Sequence, residues 1–314
     1  MTTGEPTANT LAGKVAIITG GGRGIGRAMA LELAAAGVAV MVSARSANEI
    51  EETAEMIRAA GGTAKACPAD VSDLDAVKNL LAVTEAELGA PDILINNAGG
   101  GVPGTGGPFE LMEPAAIQLG VERNLLAAML LSRLALPGML ARKKGCIINV
   151  ASGAGMLGMP YIVPYSVAKT GIIRFTEVLA SEMLGRGISV FSITPGNVAT
   201  KLTEKMLPVL DQMIAAPPPG APWIYPPGHE LEEKGWYPPE RVAELVRFLA
   251  SGQADKVSGC FFSVHYDEAQ IVAEAERVHA EQLYMLRIPT LNGVEPALYY
   301  RDPKEVAATA FAQG

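Results

Sequence analysis

Short runs of β-branched and aliphatic residues recur along the first two hundred positions, each followed by a stretch of helical period. This alternation constrains the fold more than any other feature. Residues 14–19, 38–43, 63–67, 92–95, 145–150 and 188–193 read as strands, and 260–264 as a seventh. Helical stretches at 24–36, 47–60, 113–140 and 161–184 lie between them. A further helix follows Ser72, a residue type suited to capping it. Strands apolar on both faces and separated by helices predict a parallel sheet covered on both sides. The expected fold class is α/β, a doubly wound parallel seven-stranded sheet with helices on both faces. A ligand then belongs outside the carboxyl ends of the strands.

Residues 201–240 break the pattern. Pro217, Pro218, Pro219, Pro222, Pro226, Pro227, Pro238 and Pro239 fall there, and no sheet strand fits them. Both tryptophans, Trp223 and Trp236, lie in this insert, with Tyr225 and Tyr237 beside them. A loop this long in a compact domain reads as a lid over a site; a stiff, self-packed surface loop is the alternative. A helix at 241–250 follows, then the last strand, a helical extension at 268–286 and an irregular tail from 288. The chain reads as a single domain, 1–314, with a core at 11–266, a lid at 201–240 and an extension at 267–314.

Composition excludes several classes. The chain has 314 residues, 49% hydrophobic and 18% charged, which suits a globular core and not a disordered chain. A net charge of −8 argues against nucleic acid or an anionic membrane as partner. Cys67, Cys146 and Cys260 are odd in number and far apart, so neither a disulfide framework nor a zinc site is expected. His229, His265 and His279 have no metal-ligand spacing, and no metal is expected. The start is polar, without a signal-peptide core. The apolar run at 125–140 carries Arg133 and Pro137 and is too short to span a bilayer. A soluble, cytoplasmic protein is expected.

The turn after the first strand is Thr19-Gly20-Gly21-Gly22-Arg23-Gly24-Ile25-Gly26. Glycines let the backbone approach a pyrophosphate, and the helix that opens there offers free N–H groups and a positive dipole end. The second strand ends at Ser43-Ala44-Arg45. A carboxylate at that place would bind the 2′-hydroxyl of NAD; none is present. Arg45 and Arg23 suit a 2′-phosphate instead, which favours NADP over NAD, with NAD still possible.

Tyr165 and Lys169 lie four residues apart in a helical stretch and so share a face. An ammonium beside a phenol favours phenolate and brings the tyrosine toward working pH as an acid–base group. Ser152 falls at the end of the fifth strand, where its hydroxyl can donate to a developing oxyanion.

With these residues in view, the chain resembles the short-chain dehydrogenase/reductase family of Rossmann-fold oxidoreductases over residues 11 to about 266. The motifs are Thr19-Gly-x-x-x-Gly24-x-Gly26, Asp70-Val71, Asn96-Asn97-Ala98-Gly99, Asn124, Ser152, Tyr165-x-x-x-Lys169 and Pro195-Gly196-x-Val198-x-Thr200. The resemblance implies that Gly20, Gly22, Arg23, Gly24, Ile25 and Gly26 form the phosphate turn. It implies that Asp70 and Val71 flank the adenine, with Arg45 nearby. Asn97, Ala98 and Gly99 support the adenosine side. Tyr165 is the acid–base residue, Lys169 binds the nicotinamide ribose, Ser152 polarises the substrate carbonyl and Asn124 holds a relay water. Pro195, Gly196, Val198 and Thr200 orient the nicotinamide. A homodimer or homotetramer is also implied. The chain departs from the family at Ser263-Val264-His265-Tyr266-Asp267-Glu268, where many members carry Asp-Gly-Gly, and in the residues that follow.

Beyond Ser152 come Met156, Leu157, Met159, Tyr161 and Ile162, and within the insert Met206 and Leu207 precede the tryptophans. Such side chains suit a bulky apolar substrate. The expected activity is NADPH-preferring reduction of a hydrophobic ketone, or oxidation of the matching secondary alcohol. Reduction of a C=N or conjugated C=C bond is the alternative on the same residues, and a non-catalytic NADP(H) sensor the third. His229 and His265 are further candidates for touching substrate.

Overall fold

The computed structural model describes residues 11–198 and 237–287. Its strands are β1 Val15–Thr19, β2 Ala39–Ala44, β3 Ala64–Pro68, β4 Ile93–Asn96, β5 Gly145–Val150, β6 Ile188–Thr194 and β7 Phe261–Ser263. They form one parallel sheet in the order β3-β2-β1-β4-β5-β6-β7. The helices are α1 Gly24–Ala35, α2 Ala47–Ala59, α3 Leu74–Glu87, α4 Pro114–Val121, α5 Ala127–Arg142, α6 Val163–Met183, α7 Pro239–Ala250, α8 Glu268–Ala273 and α9 Ala275–Ala280. The doubly wound seven-stranded sheet expected from the sequence is present.

The two-residue period of the strands splits their apolar side chains between two layers. Ile17, Leu94, Ile147 and Val190 stand in register across β1, β4, β5 and β6. They bury against Leu80 of α3, Leu131 and Met139 of α5 and Leu179 of α6. Their neighbours Ile18, Ile95, Ile148 and Phe191 point the other way, onto Met29 and Leu33 of α1 and Leu245 and Leu249 of α7. Each fully buried side chain of this size contributes roughly 2 kcal/mol. A helix cap contributes about 1 kcal/mol. The two apolar faces therefore hold the helices, and the caps only set their ends.

Several boundaries differ from expectation. Ser72 does not cap α3. Its hydroxyl and amide both donate to Asp70 Oδ1, and Asp73 takes the cap position, accepting from the amides of Asp75 and Ala76. The helix expected at 113–140 runs without interruption from Pro114 to Arg142, longer than its apolar run. By length and composition alone it passes for a membrane span, yet Ala127, Leu131, Ala135, Leu136 and Met139 bury one face of it against the sheet layer. It widens to π geometry at Glu122–Leu126, around Asn124. The extension expected as one helix at 268–286 is the short pair α8 and α9. Gln282 and Tyr284 take left-handed φ values of 52° and 58°, which no continuing helix allows.

The sheet's strand order reverses between β1 and β4, so their carboxyl ends open the crevice in which a doubly wound fold takes its ligand. At the far edge, the β7 amide of Phe261 donates to the carbonyl of Tyr284. The segment that covers this edge is anchored on α6: the Leu286 amide donates to buried Glu177, which also pairs with Arg174 and Arg287.

Candidate active site

The glycine turn opens directly from β1. Gly20 and Gly24 adopt left-handed φ values of 67° and 53°. A Cβ on Gly26 would collide with the carbonyl oxygen of Gly20, so the first turn of α1 lies against the loop and only glycine fits. Among the described residues no side chain caps α1, as is also true of α4, α6 and α7. The amides of that turn are left to an outside acceptor, as a pyrophosphate site requires. The residues present therefore fit the phosphates of a dinucleotide.

Asn97 and Thr19 hold the turn in place. The Asn97 side-chain amide donates to the carbonyls of Thr19 and Gly20, at 2.8 and 3.2 Å. The amides of Asn97 and Ala98 both donate to the Thr19 hydroxyl at 3.0 Å. The end of β4 is thus laced to the end of β1. The sequence reading places Thr19 at the head of the glycine motif but gives its hydroxyl no role, because its partners, the amides of Asn97 and Ala98, are remote in the chain.

At the adenosine end, Arg45 is exposed where β2 ends. Arg23, also exposed, lies 3.4 Å from Glu49. The Ser46-x-x-Glu49 spacing of a capping box was the available signal for that carboxylate. Asp70 accepts from Ser72 and lies 3.7 Å from Arg123. Burial pushes its carboxyl up, but the Ser72 hydrogen bonds and the charges of Arg123 and Arg45 outweigh this and hold it below its usual range. Val71 follows it, half-buried.

Lys169 sits at the centre of the site, buried, with its Nζ donating to the Val150 carbonyl at 2.6 Å. The same Nζ lies 5.7 Å from the centre of the Tyr165 ring. Burial lowers the ammonium's pKa to about 8. A Cβ on Gly99 would fall 2.7 Å from Asn124 Oδ1 and 3.6 Å from Lys169 Nζ. Glycine there lets the backbone after β4 pass between the two side chains. Asn124 accepts from the Gly100 amide at 2.7 Å and donates to the carbonyls of Gly100 and Gly120, both at 3.0 Å. Its side chain thus reaches the backbone four residues earlier, where the helix widens.

Ser152 begins a tight turn, Gly153–Gly155, with its hydroxyl oxygen accepting from the Ala154 amide at 3.2 Å. That leaves the hydroxyl hydrogen to donate elsewhere. Gly155 packs on the Lys169 backbone, where a Cβ would come within 2.7 Å of the carbonyl carbon. The Thr170 hydroxyl donates to the Gly155 carbonyl at 2.8 Å. The turn that carries Ser152 is therefore docked on the helix that carries Tyr165 and Lys169.

After β6, Pro195 and Gly196 are half-buried and Val198 is buried, paired in parallel with Tyr237. Thr200, Met206, Leu207, Trp223, Tyr225, His229, Trp236 and the prolines from Pro217 to Pro227 lie outside the described residues. A hollow of about 400 Å³ opens at the other end of the sheet, beside Gly13, Gly37 and Gly61. No titratable side chain lines it, and it is remote from this chemistry.

Just after the turn that carries Ser152, Met156 and Leu157 are exposed, as are Phe109 and Leu111. The loops that carry them are tied by the Gly107 amide donating to the Tyr161 carbonyl at 2.9 Å.

The short chain dehydrogenase family matches residues 14–209. The 3-oxoacyl-[acyl-carrier-protein] reductase of Synechocystis sp. is 36% identical, over 81% of this chain and 96% of its own. The 2-(S)-hydroxypropyl-CoM dehydrogenase 3 of Xanthobacter autotrophicus is 34% identical, over 82% and 96%. Among solved structures, a single-substitution variant of actinorhodin polyketide ketoreductase with NADPH is similar at a TM-score of 0.71 and 28% identity, covering 80% of this chain and 95% of that one. The laced glycine turn, the Tyr165–Lys169 pair and these likenesses agree: the chain belongs to the short-chain dehydrogenase family, and it is an oxidoreductase that interconverts CH–OH and C=O with NAD(P).

Proposed function

We propose that this enzyme reduces a bulky, hydrophobic ketone with NADPH in preference to NADH, or oxidises the matching secondary alcohol, with Tyr165 as the acid–base residue. The observation that carries the reading is the buried Lys169 ammonium held at the Val150 carbonyl, 5.7 Å from the Tyr165 ring. A positive charge fixed beside a phenol stabilises its anion and eases proton transfer. Ser152 donates its hydroxyl hydrogen to the substrate oxygen and steadies the charge that grows there. Asn124, at the polar end of the same cluster, supports a water relay toward Lys169. The bound nicotinamide supplies or accepts the hydride, and the chain supplies orientation and electrostatics.

Arg45, Asp70, Val71 and residues 97–99 take the adenosine end, and residues 20–26 the phosphates. Pro195, Gly196 and Val198 take the nicotinamide side. The NADPH preference is supported by exposed Arg45 and by the lack of a carboxylate at the end of β2. Exposed Met156 and Leu157, just after the turn that carries Ser152, support a bulky hydrophobic substrate. A homo-oligomer completes the reading, since Met129, Leu130, Val167 and Val178 leave apolar surface along α5 and α6, with Leu126 just before α5.

The test is nicotinamide oxidation over ketones graded from small to bulky and aromatic, with NADPH and NADH side by side. Fast turnover of bulky ketones with NADPH is expected. Tyr165→Phe should lose turnover by about a hundredfold or more, the scale of a general acid, and keep NADPH binding. Tight NADPH binding without any ketone turnover would move the activity to C=N or C=C bonds.

A further inference from the structure

The departure after β7 places His265 where it meets two other segments. Its Nδ1 lies 2.9 Å from the Tyr237 hydroxyl, and the two rings meet edge to face at 4.7 Å and 88°. On its other side, His265 Nε2 would be 3.1 Å from a Cβ on Gly196, a residue with a left-handed φ of 67°. The imidazole therefore covers the open face of Gly196. Tyr237 reaches the same segment through its backbone: its amide donates to the Asn197 carbonyl at 2.9 Å, and it pairs with Val198.

Residues 196–198 are thus gripped from both sides by one bonded pair. The pair itself stands on a firm base. Arg241, in the first turn of α7, makes two parallel bonds to Glu268 at 3.1 and 2.8 Å. Glu268 opens α8, immediately after the turn that carries His265. A bidentate guanidinium–carboxylate pair fixes both distance and angle, so the chain before α7 and the chain after β7 cannot drift apart.

We propose that His265 and Tyr237 are positioning residues that brace the backbone of residues 195–198 against the nicotinamide end of the bound cofactor. The inference rests on the reading of 195–198 as the nicotinamide segment. A single backbone stretch after β6 has no helix or strand of its own to hold it, and the brace supplies that rigidity. Its hydrogen bonds are local: they run within the pair and to residue 197, whereas the glycine turn is laced by Asn97 and Thr19.

The test compares two ligands in fluorescence titrations: NADPH, and 2′-phospho-ADP-ribose, which lacks only the nicotinamide ring. Tyr237→Phe and His265→Phe each keep a ring and delete the same hydrogen bond. Loss of one such bond should weaken NADPH by about three- to tenfold and leave 2′-phospho-ADP-ribose within about twofold. The double variant should be no weaker than the worse single variant, because both remove one interaction. A purely structural role would weaken both ligands together.

Equal weakening of both ligands, or unchanged NADPH affinity, overturns the brace. Wild-type protein that binds neither NADPH nor NADH overturns the oxidoreductase reading and the brace with it. Should His265→Phe fail to fold, Tyr237→Phe carries the test, since it removes a single oxygen.

Discussion

Arg23 and Arg45 have the same charge but unequal freedom. Arg23 is engaged by Glu49 at 3.4 Å, and that carboxylate also opposes any phosphate brought near it. Arg45 is exposed beside Asp70 and carries the larger share of a 2′-phosphate site in our reading. Arg45→Ala should weaken NADPH by about tenfold, the worth of one charge-assisted contact, and change NADH little. Glu49→Gln should have the opposite sign and tighten NADPH by about two- to fivefold, the scale of an exposed ion pair. Calorimetric titration with both cofactors checks the pair, and a Glu49→Gln protein with weaker NADPH binding contradicts the assignment. Candidates such as Tyr165, Lys169 and Ser152 stand out in the sequence because their spacing meets a chemical requirement. The pairings of Glu49 with Arg23, of Arg123 with Asp70 and of the Thr19 hydroxyl with the amides of Asn97 and Ala98 do not, because the partners are distant in the chain.

At the level of elements, the edge of the sheet depends on a segment that is neither helix nor strand. An edge strand presents unpaired backbone groups and invites association with other chains. Here the segment running through Tyr284 to Arg287 covers β7, and Glu177 of α6 holds it by accepting the Leu286 amide. Glu177→Ala removes that acceptor and leaves Arg174 and Arg287 without their shared partner. The expected cost is about 2 kcal/mol, read from urea denaturation. Faster hydrogen exchange at the Phe261 amide should accompany it. Protection at Phe261 equal to wild type would show that the edge is covered by other means. The sequence alone reads this region as one helix to residue 286, since its composition is helical and the turn at Gln282 and Tyr284 has no glycine to announce it.

For the whole molecule, the buried Lys169 links stability to pH. Its pKa is about 8 in the folded protein against an ordinary value of 10.5, because burial disfavours the ammonium. Between those two values the unfolded chain binds more protons than the folded one. Stability from this group therefore rises as pH increases through that window, and below it the folded state bears the full cost of burying the charge. A Lys169→Met variant is free of that cost. Its melting temperature should exceed that of the wild type by the largest margin near pH 7, and the margin should shrink toward pH 10. A margin independent of pH would place the ammonium in a polar, solvated setting instead. In the proposed mechanism activity runs the other way, because the Lys169 ammonium assists Tyr165, and it should decline as Lys169 loses its proton above about pH 8.

The alternation of apolar runs with helical stretches determined, by itself, that this chain builds a doubly wound parallel sheet. Strands such as Ile17-Ile18 and Ile147-Ile148 have no polar face to turn to water, and only helices on both sides can bury them. The same local chemistry marked the glycine turn and the Tyr165–Lys169 pair, because i, i+4 spacing and a strand-to-helix glycine are statements about neighbours. What only the tertiary structure decided are the contacts between remote segments. Asn97 laces β4 to β1, Arg123 faces Asp70, and His265 meets both Gly196 and Tyr237. Each depends on which strand ends the fold brings side by side, and a linear pattern of hydrophobicity holds no record of that order.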